Sequence, residues 1–178
     1  MFLGNPLLML QESPETLARL RGNVFELSIG HGVQILGTSE VRYGVGIGIE
    51  WGRPSRIAPS SNSFAARESA YLRLFRSFTS DEGFDGLVAG FGTRWHATSG
   101  RLKNGYFEIG SGIAVTDGVS IDVNSHFNFV SFLGGGFFFT NSFTSPRFGL
   151  RWVHVSNAGI ESPNRGLNQV EAVFGFRF

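Results

Sequence analysis

From Asn23 to its last residue the chain alternates with period two, and the two faces this creates are of opposite kinds. In the first segment Phe25, Leu27, Ile29, Val33 and Ile35 share one face, against Glu26, Ser28, Gly30, Gly32 and Gln34 on the other. In the next, Val41, Tyr43, Val45, Ile47, Ile49 and Trp51 oppose Arg42, Gly44, Gly46, Gly48 and Glu50. Segments over 87–96, 106–115 and 169–178 repeat the pattern, whereas 67–79 and 126–140 carry apolar residues on both faces. Successive side chains of a strand point to opposite sides. Each segment therefore presents one face of large Phe, Ile, Leu and Trp and a second of glycine, Glu and Arg.

That second face decides the fold. In a small closed barrel the interior is narrow, so inward side chains must be small or mutually paired. Glu26, Glu50, Glu108 and Glu171 against Arg42, Arg94, Arg147, Arg151 and Arg177 read as such an inward ion network, because buried charges are tolerated only when paired. The apolar band then faces lipid, with Tyr43, Trp51, Trp95 and Trp152 as candidate interface aromatics. About eight strands fit, each near or above the roughly 9–11 residues that cross a bilayer. The expectation is an all-β protein, an eight-stranded antiparallel transmembrane β-barrel of the outer-membrane type, over residues 23–178. The competing arrangement is a water-soluble, lipocalin-like barrel.

Composition agrees. A chain of 178 residues with 25 Gly and 19 Phe makes one domain of closely packed strands. The net charge of +1 gives no basic footprint for nucleic acid. The absence of Cys rules out disulfides, thiolate metal sites and cysteine nucleophiles. No apolar run reaches the length of a transmembrane helix. Residues 1–22 form a separate segment with a short helix, from Ser13 at the N-cap and Pro14 at N1 to a stop at Gly22. The opening MFLGNPLLML is apolar without a basic region or cleavage site, and a processed or misplaced start is expected, since such a barrel needs a secretion signal. With both ends in the periplasm, loops near 37–40, 80–83, 117–125 and 157–166 face outward and those near 53–66, 99–103 and 141–146 inward. The chain closes on alternating aromatics, Phe174, Phe176 and Phe178, an ending similar to the signal that recruits the barrel-assembly machinery.

Chemistry concentrates at the outer end of the seventh strand. His154 and Ser156 lie two apart and so project from one face, an arrangement in which an imidazole can take a hydroxyl proton. Phe148, Leu150 and Trp152 share that face, which places the pair on the lipid side at the rim. A nucleophile there meets molecules of the outer leaflet, lipopolysaccharide or phospholipid. His31, His96 and His126 show no metal-ligand spacing and read as structural, so no metal is expected. The glycine runs 44–48 and 134–136 lack the strand-to-helix context of a phosphate loop.

The stretch His154-Val-Ser-Asn-Ala-Gly159, then Pro163-Asn164, then Gly166-Leu-Asn168 resembles the active-site region of the lipid A 3-O-deacylases, the PagL-type outer-membrane hydrolases. The resemblance implies hydrolysis of the acyl ester at position 3 of lipid A, without a cofactor, at the extracellular rim of a Gram-negative outer membrane. It makes Ser156 the nucleophile and His154 its base. Asn157 and the backbone around Ala158 and Gly159 become candidates to stabilise an oxyanion. The family's acid, a glutamate, falls on Asn168, which can orient a histidine through its amide oxygen but cannot stabilise an imidazolium as a carboxylate does. Glu171 faces the interior; Glu161, in the loop, could swing in. Partners are lipopolysaccharide in the outer leaflet, the assembly machinery through Phe178, and, as an option, a second copy in a homodimer. The alternative function is a non-catalytic or weakly active outer-membrane barrel with a structural or adhesive role.

Overall fold

A computed structural model describes residues 20–36, 38, 40–55, 63–140, 145–162 and 164–178. The strands are β1 (Gly22–Gly32), β2 (Tyr43–Pro54), β3 (Phe64–Phe78), β4 (Gly83–Ala97), β5 (Gly105–Thr116), β6 (Phe127–Phe138), β7 (Arg147–Ser156) and β8 (Leu167–Arg177). Each pairs antiparallel with its sequence neighbours, and β8 returns to β1, so the sheet closes as an eight-stranded barrel without an edge. Closure is what allows strands to cross hydrocarbon, because every backbone group finds a partner in the sheet. The turns fall where the alternation breaks. The expected long inward connection over 53–66 is shorter in fact, since β2 runs to Pro54 and β3 starts at Phe64. The helix expected at Ser13–Arg21 lies, but for its last two residues, outside those described.

Parity holds on every strand. Exposed large apolar side chains occur all round the wall, among them Ile29, Ile47, Leu74, Phe91, Ile113 and Leu150. An apolar surface of that extent is a lipid contact and not a solvent face. Charged pairs on the outside mark its limits. Arg53 and Glu68 lie opposite each other at the inner end, and Arg76 and Asp85 at the outer end. Glu68 and Arg76 are eight positions apart on β3, about 26 Å along a strand at roughly 3.3 Å per residue. Strand tilt reduces that to roughly the height of an outer-membrane barrel's apolar band.

Inside, three carboxylates and three guanidiniums close a ring of alternating charge. Glu50 meets Arg94 at 2.9 Å, Arg94 meets Glu108 at 2.5 Å, and Glu108 meets Arg151 at 2.9 Å. Arg151 meets Glu26 at 2.7 Å, and Arg147 joins Glu26 at 2.7 Å back to Glu50 at 2.9 Å. Arg67 adds a further bond to Glu50 and donates to Leu20 O and Gly22 O, tying the start of the barrel across its inner mouth. Arg73 holds Glu171 with two donors.

Three features of the barrel differ from what its sequence suggests. Arg42 is not part of the lumen network: it caps the outer end, bonded to Glu40 and Glu82 and lying over the Phe84 ring. Nor is the lumen ionic throughout. Its outer half is a plug of Phe84, Val88, Ala114, Val123, Val130, Val153, Val155 and Leu167, with Tyr71, Phe75 and Phe132 packed against it. Inward aromatics from β3 and β6 are why those two segments seemed to be apolar on both faces. Glycine makes room for them: a Cβ on Gly90 or Gly112 would come within 2.5 or 2.8 Å of the Tyr71 hydroxyl. Finally, Trp152 stands halfway along β7 and not at an interface, unlike Tyr43 and Trp51 at the two ends of β2.

Candidate active site at the outer rim

The outer end of β7 builds the site. Trp152, His154 and Ser156 point outward and are partly exposed, while Arg151, Val153 and Val155 between them are buried. The inward valines anchor the strand on the apolar plug, so the outward row sits on a rigid support. Trp152 stacks on the imidazole of His154 with ring centroids 6.0 Å apart. Opposite His154 in the β7–β8 register lies Asn168. Its side chain oxygen accepts from His154 Nδ1 at 3.0 Å. That bond puts the proton on Nδ1 and leaves the Nε2 lone pair free, the tautomer a general base requires.

Asn168 faces outward by parity yet is fully buried, because the β1–β2 loop folds over it. Its amide nitrogen donates to Ile35 O at 3.0 Å and to Thr38 Oγ1 at 2.5 Å. Thr38 Oγ1 in turn donates to Gly166 O at 2.6 Å. Gly166 has φ +76, and a Cβ there would lie 2.5 Å from His154 Cε1, so the bare backbone forms the wall on which the imidazole rests. Asp122 knits the outer loops together: its carbonyl accepts from Arg165 N and Gly166 N, and its carboxylate from Glu40 N.

Ser156 shares the outward face with His154 but makes no hydrogen bond to it among the described residues. Such bonds are often long before substrate arrives. Directly after Ser156 the chain turns sharply, with Ala158 at φ 54 and Gly159 at φ 81. Asn157 points the other way and is buried, its carboxamide spent on the loop: Nδ2 donates to Glu161 O, and Oδ1 accepts from Gly159 N. Its own N–H donates to Asn164 Oδ1 at 3.1 Å. Of the three candidate oxyanion donors, only Ala158 N–H has no acceptor among the described residues.

Glu171 is committed to Arg73 inside the barrel and cannot reach His154. Glu161 is exposed in the loop. Pro163, part of the motif, lies outside the described residues. The remaining histidines are structural: His96 stacks on Phe138, His126 Nδ1 lies 2.8 Å from Thr116 O, and His31 packs edge-on against Tyr43. No group of His, Asp and Glu among the described residues could hold a metal. Thr38 and the Ile35 carbonyl are the parts of the site that sequence reasoning missed. Thr38 lies 130 positions from Asn168, and nothing local to it signals a contact.

Below His154 the outer wall is concave. An open groove runs across it from Trp152 past Ser131, Ser111 and Phe91 to Trp51 and Arg53. Ser131 is the register partner of His154, and Ser111 that of Ser131. The groove thus starts beside the imidazole and descends the lipid-facing surface.

Known proteins are similar to this chain in sequence and in fold. The family model described as lipid A 3-O-deacylase (PagL) matches residues 40–177. The lipid A deacylase PagL of Bordetella bronchiseptica is 40% identical over 76 residues, an alignment covering 41% of this chain and 41% of that protein. A crystal structure of the outer membrane enzyme PagL superposes with a TM-score of 0.68 at 20% identity, over 87% of this chain and 99% of that one. The superposition speaks for the fold, and the family match, over most of the chain, for descent. The chain belongs to the lipid A 3-O-deacylase (PagL) family, whose barrel architecture is that of an outer-membrane enzyme.

Proposed function

We propose that this barrel is an esterase of the Gram-negative outer membrane that removes the acyl chain linked through oxygen at position 3 of lipid A. The single observation that carries this reading is the His154 Nδ1 to Asn168 Oδ1 bond of 3.0 Å, made on the same lipid-facing strand surface that bears Ser156. It leaves Nε2 free to accept, on the strand face that also bears the Ser156 hydroxyl, at the level of a leaflet where ester-bearing lipid is the natural substrate.

The steps balance without a cofactor. Nε2 of His154 takes the Ser156 hydroxyl proton as Oγ attacks the ester carbonyl carbon. The resulting oxyanion has Ala158 N–H as its nearest unspent backbone donor in the loop. Collapse expels the sugar 3-oxygen, which receives the proton from Nε2, and leaves the acyl group on Ser156. Water then attacks that ester, gives its proton to Nε2, and the fatty acid leaves as Ser156 is regenerated. The groove from Trp152 to Trp51 offers apolar wall for the departing chain. The same reading has the barrel inserted by assembly machinery that engages the aromatic terminal strand ending at Phe178.

Asn168 is neutral, so imidazolium in the transition state gains less support than from a carboxylate. Slow turnover is the expected consequence. Mass spectrometry of lipid A from an outer membrane containing this protein tests the proposal: the mass should fall by one 3-hydroxyacyl group. An unchanged spectrum from folded protein, across several lipid A acylation patterns, would refute it.

A further inference from the structure

We propose that the pocket around position 168 is built for a neutral carboxamide, and that Thr38 and the Ile35 carbonyl are the positioning groups that hold it. The protons in the pocket are matched one to one with acceptors. Asn168 Nδ2 carries two; one goes to Ile35 O at 3.0 Å and the other to Thr38 Oγ1 at 2.5 Å. The Thr38 hydroxyl has one, and it goes to Gly166 O at 2.6 Å. Asn168 Oδ1 is left to accept from His154 Nδ1 at 3.0 Å.

Every donor in this chain has one acceptor, and no link can be reversed without placing two lone pairs face to face. A flipped amide would set its oxygen against the Ile35 carbonyl and its N–H against His154 Nδ1–H. The imidazole would then have to accept at Nδ1 and carry its proton on Nε2, where it could not take one from Ser156. Orientation of the amide therefore selects the useful tautomer, and the β1–β2 loop selects the orientation.

The same count shows why a carboxylate does not fit. Aspartate has the shape of asparagine but no proton to give the Ile35 carbonyl. Thr38 could serve its second oxygen only by abandoning Gly166 O, the carbonyl of the residue that supports the imidazole. The Ile35 carbonyl keeps its bond from Thr38 N at 3.1 Å, but the carboxylate oxygen facing it is buried without a donor and out of reach of water, and an unmet buried polar group is costly. Asn168 is thus the residue this loop was shaped around, and not a gap in an otherwise acidic site.

The catalytic consequence rests on the esterase reading above; the fit of the amide does not. Two measurements on the full chain in detergent micelles keep them apart. In the first, Asn168→Asp lowers the melting temperature at pH 8 by roughly 5 °C or more relative to wild type. An aspartate variant as stable as wild type would overturn the proposal. In the second, Thr38→Val lowers kcat for lipid A hydrolysis about tenfold or more with KM within about twofold, and Thr38→Ser restores it. In an Asn168→Ala background the same valine costs little further, because its effect passes through the amide. Unchanged kcat in Thr38→Val, an equal loss in Thr38→Ser, or fully additive losses would each overturn the positioning role. If wild type shows no hydrolysis at all, the esterase reading fails, while the melting temperatures still decide whether the pocket is built for an amide.

Discussion

Alanine at Ser156 or at His154 is expected to lower lipid A deacylation by about a thousandfold or more, with barrel stability unchanged. Removing either the nucleophile or its base disables the whole covalent route, and the two losses do not add. The double variant should therefore be no slower than either single one. Both side chains project outward from β7 and are only partly buried, so truncation leaves the inward Val153 and Val155 and their packing on the plug intact. Release of 3-hydroxy fatty acid from purified lipid A, measured beside the melting temperature, separates loss of chemistry from loss of fold. Additive losses, or a fall in melting temperature that tracks the fall in rate, would argue for a structural role.

The second large effect lies inside the barrel and concerns stability. Glu50 faces three guanidiniums, those of Arg67, Arg94 and Arg147. Glu50→Gln keeps the shape, removes the charge and opens the ring between Arg94 and Arg147. Breaking one partner out of a buried ion network costs about 3–5 kcal/mol, because the charges left behind have no water to turn to. The pair Arg76–Asp85, 3.1 Å apart but 55% exposed on both sides, makes the contrast. Its loss in Arg76→Ala should cost no more than about 1 kcal/mol. Urea unfolding in detergent micelles, followed by the mobility shift between folded and unfolded barrels, measures both. Equal midpoints for the two variants would mean that the ring does not hold the barrel together.

Most of the fold was legible in the sequence because a barrel of this type is defined by parity. Phe25 to Ile29 and Val45 to Trp51 declare which side faces lipid, and the positions of Glu26, Glu50, Glu108 and Arg151 follow from it. What parity cannot show is height along the axis. Arg42 and Arg94 are both inward, yet one caps the outer end and the other belongs to the ring near the inner end, since register between strands decides the level. Tyr71, Phe75 and Phe132 confused the pattern for the same reason: bulky inward residues are admitted only where glycines on other strands leave them room, Gly90 and Gly112 for Tyr71, Gly86 for Phe75 and Gly110 for Phe132.

The site divides in the same way. His154 and Ser156 could be placed on one face from their spacing, whereas Asn168 was reached through the family resemblance, with parity agreeing that it faces the same side. Asn157, a candidate for the oxyanion from its neighbourhood, turns inward to brace the loop, which parity from Ser156 already implied. Thr38 was beyond reach, because a contact spanning the barrel's closure from β1 to β8 leaves no trace in local sequence.

The most direct test of the central claim, that an outward-facing Ser156 is activated by a histidine held in the right tautomer, is covalent labelling. Folded protein in outer-membrane vesicles would be treated with a fluorophosphonate, digested and mapped by mass spectrometry. One adduct is expected, on Ser156, and it disappears in His154→Ala. No adduct on folded wild-type protein, or one that persists without the imidazole, would contradict it.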